Sequence, residues 1–130
     1  MKCSKVILID DDNITNFLNS EILSFFDASL TIVPFSDPEK AIGYLLSDHI
    51  DNADDKTLIL LDINMPLISG WDLIQKIENT KPEVFSHVHI HLLTSSIDEN
   101  DKKRAEENPH IISILHKPLD EELLQVIFNS

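Results

Sequence analysis

Cysteine, glycine and basic side chains are scarce in this sequence, and each shortage narrows what the chain can be. A single cysteine, Cys3, closes no internal disulfide and supplies no thiolate metal site, which fits a reducing cytosol. Two glycines and six prolines, with 42% hydrophobic and 25% charged residues, point away from low-complexity chain and toward a folded globular protein. No apolar run approaches the ~20 residues that cross a bilayer. Met1-Lys2-Cys3-Ser4 leads into an apolar stretch too short for a signal peptide. No membrane span is therefore expected, and the expected location is cytoplasmic. Lys and Arg number 10 against 23 Asp and Glu, a formal charge of −13. Such a surface repels nucleic-acid phosphate, so no direct nucleic-acid partner is expected, although acidity also serves plain solubility.

The 130 residues suffice for one domain with a single core. Short apolar runs at 6–9, 58–61, 88–93 and 111–115 suit strands covered on both faces, as in a parallel sheet. Leu30-Thr31-Ile32-Val33 is a weaker, more peripheral strand. Helical patterns lie between. Ile14, Phe17, Leu18, Ile22 and Phe25 share one helical face. Asp37-Pro38 reads as an N-cap with proline at the first helical position, opening a helix over 39–46. Trp71, Ile74 and Ile77, with Leu73, pack a third helix after Gly70. Residues 98–108 form a polar fourth helix that stops before Pro109. Asp120 caps a fifth, with Leu119 placed to staple onto Leu124. Residues 47–56 read as an acidic surface loop rather than a linker. The order βαβαβαβαβα predicts one α/β domain over 1–130 built from right-handed crossovers, with no room left for an output domain.

The polar residues with chemistry share one position in this pattern. Asp10-Asp11-Asp12 ends the first strand, Asp62 the third and Thr94 the fourth, while Lys117 follows the fifth. In a parallel open sheet the strand carboxyl ends form one rim, and ligands bind where strand order reverses. With order 2-1-3-4-5, that point lies between the first and third strands, which carry the aspartates. Two carboxylates about 4 Å apart repel by ~4 kcal/mol at an effective dielectric of 20. Such a cluster needs a cation, and all-oxygen ligation without Cys or His suits Mg²⁺. One Mg²⁺ and the Lys117 ammonium would offset three negative charges and prepare Asp62 to attack phosphorus.

The stretches Leu8-Ile9-Asp10-Asp11-Asp12, Leu61-Asp62-Ile63-Asn64-Met65-Pro66-Leu67-Ile68-Ser69-Gly70, Leu93-Thr94-Ser95 and Lys117-Pro118 resemble the receiver domain of two-component response regulators, in order and spacing, over essentially the whole chain. The resemblance implies a stand-alone receiver with a flavodoxin-like (βα)₅ three-layer sandwich around a five-stranded parallel sheet. It implies Asp62 as phosphoacceptor and metal ligand, Asp11 as a direct Mg²⁺ ligand, and Asp10 as a second, through water. The Asn64 backbone carbonyl would complete the protein's ligands. Thr94 would hydrogen-bond a phosphoryl oxygen and Lys117 pair with Asp62 or its phosphate, with Pro118, cis in many relatives, setting the turn. The implied partners are a histidine kinase or histidine phosphotransfer protein as donor and a downstream protein target. Such a domain is not an enzyme in the ordinary sense, since it catalyses only its own phosphorylation and dephosphorylation. One departure stands out: Ile114 occupies a place where many receivers carry Tyr or Phe.

Blander and competing readings exist for the same residues. The aspartates could be ordinary acidic loop ends, Thr94 a capping hydroxyl and Lys117 a surface lysine. Trp71 reads as helix packing. His87, His89 and His91 alternate on one strand face, but ~13 Å separates the outer two, so one ion cannot be held by all three. Lys102-Lys103-Arg104 reads as a solvated face balanced by Glu106 and Glu107, or as part of an output surface for an acidic partner. A phosphatase of the haloacid dehalogenase type also uses an Asp nucleophile and Mg²⁺, but its general acid would fall at Asn64. A receiver used only as a binding scaffold is the remaining alternative.

Overall fold

Hydrophobic runs and helix caps translate directly into the architecture. The computed structural model describes residues 3–47, 50 and 56–129. Strands β1 (Cys3–Ile9), β2 (Thr31–Phe35), β3 (Lys56–Asp62), β4 (Val88–Thr94) and β5 (Ile111–His116) alternate with helices α1 (Asn13–Phe26), α2 (Pro38–Leu45), α3 (Gly70–Thr80), α4 (Glu99–Glu107) and α5 (Glu121–Phe128). A 3₁₀ turn at Pro82–Ser86 leads into β4. All strand pairs are parallel, in the order β2-β1-β3-β4-β5. This is the flavodoxin-like arrangement expected from the sequence.

The pleat sends successive side chains to opposite faces, and each face has its own core. Ile7, Ile9, Ile59, Leu61, Ile90 and Leu92 pack with residues of α2, α3 and α4. Val6, Leu8, Leu58, Leu60 and Leu93 pack with Leu23 of α1 and Leu124 and Ile127 of α5. The central strands are thus buried on both sides, which is why they read as unbroken apolar runs. Strand β2 reads weakly because Pro34 interrupts it, and proline is tolerated here because β2 is an edge.

Part of the acidity is structural. Asp12, Asp37, Asp98 and Asp120 each accept a backbone N–H in the first turn of a helix, and Ser69 and Asp72 form a reciprocal capping box on α3. These caps satisfy orphan donors and complement the helix dipole. Leu119 and Leu124 are both buried in the second core, as a staple requires.

Helix α1 corrects one expectation. It forms where the apolar spacing placed it, but the face turned to the sheet carries Asn16, Asn19 and Leu23. Ile14, Phe17, Leu18 and Phe25 are 71, 63, 53 and 90% exposed. The Asn16 side-chain amide donates to the carbonyls of Asp10 (2.9 Å) and Phe35 (3.1 Å), which fixes the rotation of the helix. In the acidic segment, Ile50 is buried in the first core and Lys56 opens β3. Residues 48–49 and 51–55 lie outside the described residues. Among the described residues no helix is long and apolar enough to cross a membrane.

Candidate functional site

The strand carboxyl ends bring Asp10, Asp62, Thr94 and Lys117 to one rim. Asp62 is the last residue of β3 and Thr94 the last of β4, while Asp10 follows β1 and Lys117 follows β5. Strand β1 lies between β2 and β3, so the chain reverses its direction of winding beside Asp10 and Asp62. Each of Asp10, Asp11 and Asp62 offers a carboxylate oxygen within 4.8 Å of the others. Asp10 and Asp62 are buried; Asp11 is exposed. Asp12, the third acid of the run, turns away to cap α1 through Ile14 N–H at 2.9 Å.

Lys117 Nζ donates to Asp10 Oδ2 at 2.7 Å and lies 3.5 Å from Asp62 Oδ1. Its backbone N–H donates to Thr94 O at 2.8 Å, which ties the lysine to the end of β4; the following bond to Pro118 is cis. Asp10 Oδ1 accepts Asp12 N–H at 2.9 Å, and Asp62 Oδ1 accepts Asn64 N–H at 3.2 Å. Burial, then the charge of Asp10, push the Asp62 carboxyl above its ordinary pKa, against the opposing pull of Lys117 and the Asn64 amide. Burial works against the Lys117 charge, but the hydrogen bond and charge of Asp10, joined by Asp62, outweigh it and raise the ammonium's pKa.

Thr94 is fully buried, and its hydroxyl is engaged three ways. It donates to Ser96 O (3.1 Å), accepts Ser96 N–H (3.2 Å) and accepts the Asn64 side-chain amide (3.1 Å). A hydroxyl has one proton to donate, so a bond to a phosphoryl oxygen requires Thr94 to release the Ser96 carbonyl. Asn64 thus brings its side chain to the rim, where the resemblance implied only its backbone carbonyl. Beside the rim, Leu67 adopts φ 69° in a tight turn closed by Ile68 N–H to Pro66 O at 2.7 Å. Gly70 permits the close return of this loop: a Cβ there would stand 2.7 Å from Asp62 O.

The donor set fits Mg²⁺. Three carboxylates converge, one of them open to solvent, with no sulfur or imidazole among them. Among the described residues the histidines form no such group. His91 is buried with Nδ1 2.6 Å from Ser113 Oγ, and burial, then the charge of His89, push its pKa down to about 4. In the basic segment, Lys103 pairs with Glu107 at 4.0 Å on the open surface, as a solvated face would. Arg104 instead lies over Trp71. Asn16 and Ser96 are contributions that sequence reasoning missed.

The comparisons agree with this geometry. A family model described as the response regulator receiver domain matches residues 6–129. A two-component response regulator from Cytophaga hutchinsonii superposes with a TM-score of 0.86 at 32% identity, over 99% of this chain and 96% of that one. A response regulator receiver protein from Dyadobacter fermentans DSM 18053 does so at 0.83 and 28%, over 97% and 94%. The 3',5'-cyclic-nucleotide phosphodiesterase regA of Dictyostelium discoideum is 31% identical over 124 residues, 93% of this chain. The chain spans 14% of the length of that relative. With the family model covering both cores and the whole rim, the chain belongs to the response regulator receiver family of two-component signalling.

Proposed function

We propose that the chain is a Mg²⁺-dependent phosphorylation switch that takes a phosphoryl group onto Asp62 from a histidine kinase or histidine phosphotransfer protein in the cytoplasm. The observation that carries this reading is the convergence of Asp10, Asp11 and Asp62 with Lys117 and Thr94 at one rim. An Asp62 oxygen attacks phosphorus, the P–N bond to the donor histidine breaks, and its electron pair returns to the imidazole. Asp10, Asp11, Asp62 and the Asn64 carbonyl would hold Mg²⁺, which supplies charge neutralisation at the phosphoryl oxygens. Lys117 is close enough to both buried carboxylates to move its charge from Asp10 toward the new phosphate. Thr94 turns its proton from Ser96 O to a phosphoryl oxygen and so reshapes the loop into α4. The exposed apolar side chains of Ile14, Phe17 and Leu18 at the start of α1 and of Leu67 in the loop after Asp62 support a protein donor, since exposed apolar surface suits partner docking.

Acetyl phosphate or phosphoramidate with Mg²⁺ is expected to add one phosphate to the protein, read by mass. EDTA and Asp62→Asn should each abolish the adduct. Labelling of Asp62→Asn at the wild-type level would move the acceptor elsewhere.

A further inference from the structure

Helix α4 is attached unlike the other helices. Ala105 is its one buried residue, whereas α3 buries Gly70, Trp71, Leu73, Ile74 and Ile77. Apolar burial alone therefore holds α4 weakly. Besides the exposed Asn108–Glu78 hydrogen bond at the helix end, the further attachment comes from α3 through one indole. Buried Trp71 donates its Nε1 proton to Asp101 Oδ1 at 3.0 Å, and the Arg104 guanidinium carbon lies 4.6 Å from its ring centroid. Asp101 and Arg104 are three residues apart and share one helix face. The N–H edge of the indole meets a carboxylate and its electron-rich face meets a cation, so each part of the ring faces the charge it attracts.

The other side of the indole leads to the rim. Trp71 follows Gly70, whose N–H donates to Ile63 O at 2.9 Å, in the position where a Cβ would stand 2.7 Å from Asp62 O. The Ser69–Asp72 capping box holds the same turn. The backbone of Asp62 and Ile63 is thus in direct contact with the residue beside Trp71. A separate connection runs from Thr94 through Ser96 to Asp98, whose side chain caps Asp101 N–H at 2.7 Å. Ile114 packs against the first core and supplies no ring for a third.

We propose that Trp71, Asp101 and Arg104 form a latch that couples the Asp62 loop to the position of α4, and that phosphorylation of Asp62 loosens it. The loosening step rests on the phosphoacceptor reading above; the latch itself does not. A change in the Asp62 loop moves Gly70, and with it the ring on which two α4 side chains depend. The element with two states is α4, and both the Thr94 loop and the latch bias it.

Trp71 is the sole tryptophan, so its emission reports the latch directly. In unphosphorylated protein, Trp71→Leu, Asp101→Ala and Arg104→Gln are each expected to raise amide exchange over residues 99–107 roughly tenfold, with β1 and β3 unchanged. Asp101→Asn keeps an acceptor for the indole and should retain most of the protection, which loss of a helix-terminal charge alone would not allow. Unaltered exchange in all three variants overturns the latch. Acetyl phosphate with Mg²⁺ is then added, and the adduct is counted by mass. The wild-type adduct should show shifted emission and α4 exchange near that of the latch variants, while the Arg104→Gln adduct shows little further rise. A full adduct with unchanged emission and exchange overturns the coupling. Absence of any adduct refutes the phosphoacceptor reading and the loosening step together, with the latch already decided by the first measurement.

Discussion

Lys117 pairs more closely with Asp10 than with Asp62: its ammonium is 2.7 Å from the first carboxylate and 3.5 Å from the second. Its charge is thus shared unequally, and Asp62, the proposed nucleophile, is the less compensated of the two. That inequality agrees with the raised pKa of Asp62, which burial and Asp10 set against a weaker pull from Lys117.

An ionised Asp62 therefore costs the fold stability. Because its folded-state pKa is raised, the cost is present at neutral pH and disappears as pH falls below the ordinary carboxylate value. In EDTA at pH 7, Asp62→Asn is expected to be more stable than wild type by roughly 1–2 kcal/mol, with lysine and solvent screening limiting the gain. Asp11→Asn should gain less, since Asp11 is open to water. Saturating Mg²⁺ should reverse the order: wild type gains about 2.7 kcal/mol at one hundred times Kd, and the variant, one ligand short, gains little. Urea unfolding under both conditions measures this. A less stable Asp62→Asn in EDTA would refute the stored repulsion.

A second titration works in the opposite direction. Buried His91 is held neutral, its pKa pushed down to about 4 from 6.5. The unfolded chain takes up a proton near 6.5 and the folded chain does not. His91 thus contributes stability in full above pH 6.5, and that contribution is lost as pH falls toward 4. The loss is expected to be roughly 2–4 kcal/mol. His91→Asn keeps a polar partner for Ser113 without titrating in this range. Urea midpoints between about pH 4 and 7.5 should fall more steeply for wild type than for the variant; parallel curves would remove His91 as the cause.

The sequence displayed the sheet clearly because strands buried on two faces leave unbroken apolar runs, and only Pro34 obscured one of them. Capping residues marked the helix starts at Asp37 and Asp120 for an equally local reason. The buried face of α1 was not legible, because Asn16 reaches the sheet through hydrogen bonds to carbonyls rather than through apolar surface. Asp10, Asp62, Thr94 and Lys117 were legible as a site because four separate segments end at one rim. The Asn64–Thr94 bond, the choice of Asp10 by Lys117 and the contact of Trp71 with α4 depend on side-chain reach between distant segments. No periodicity records that reach.

Leu67 stores strain at the edge of the site. Its φ of 69° crowds Cβ against the backbone, and the side chain, 102% exposed, buries nothing in return. With Ile68 N–H bonded to Pro66 O the residue centres a strained γ-turn, and asparagine tolerates positive φ better than leucine. Leu67→Asn is expected to stabilise the protein by about 0.5–1 kcal/mol. Urea denaturation in EDTA decides it, and an unchanged or lower midpoint would mean that the turn is not under strain.

The two glycines should respond to alanine with opposite signs. Gly43 lies inside α2, with open space for at least 4 Å around the place an alanine Cβ would take. Glycine in a helix interior costs about 0.5–1 kcal/mol relative to alanine, so Gly43→Ala is expected to stabilise by that amount. At Gly70 the added carbon would stand 2.7 Å from Asp62 O, 3.1 Å from Ile63 Cα and 3.3 Å from the Leu61 side chain. Two of these are backbone atoms in and beside a central strand, so neither can swing aside. Gly70→Ala is therefore expected to destabilise by about 1–3 kcal/mol, as overpacking does elsewhere. Because the displaced atom belongs to Asp62 itself, phosphate labelling of the folded variant should also slow, while Gly43→Ala labels like wild type. Equal labelling rates for the two variants, measured where both are fully folded, would show that the Gly70 contact does not position Asp62.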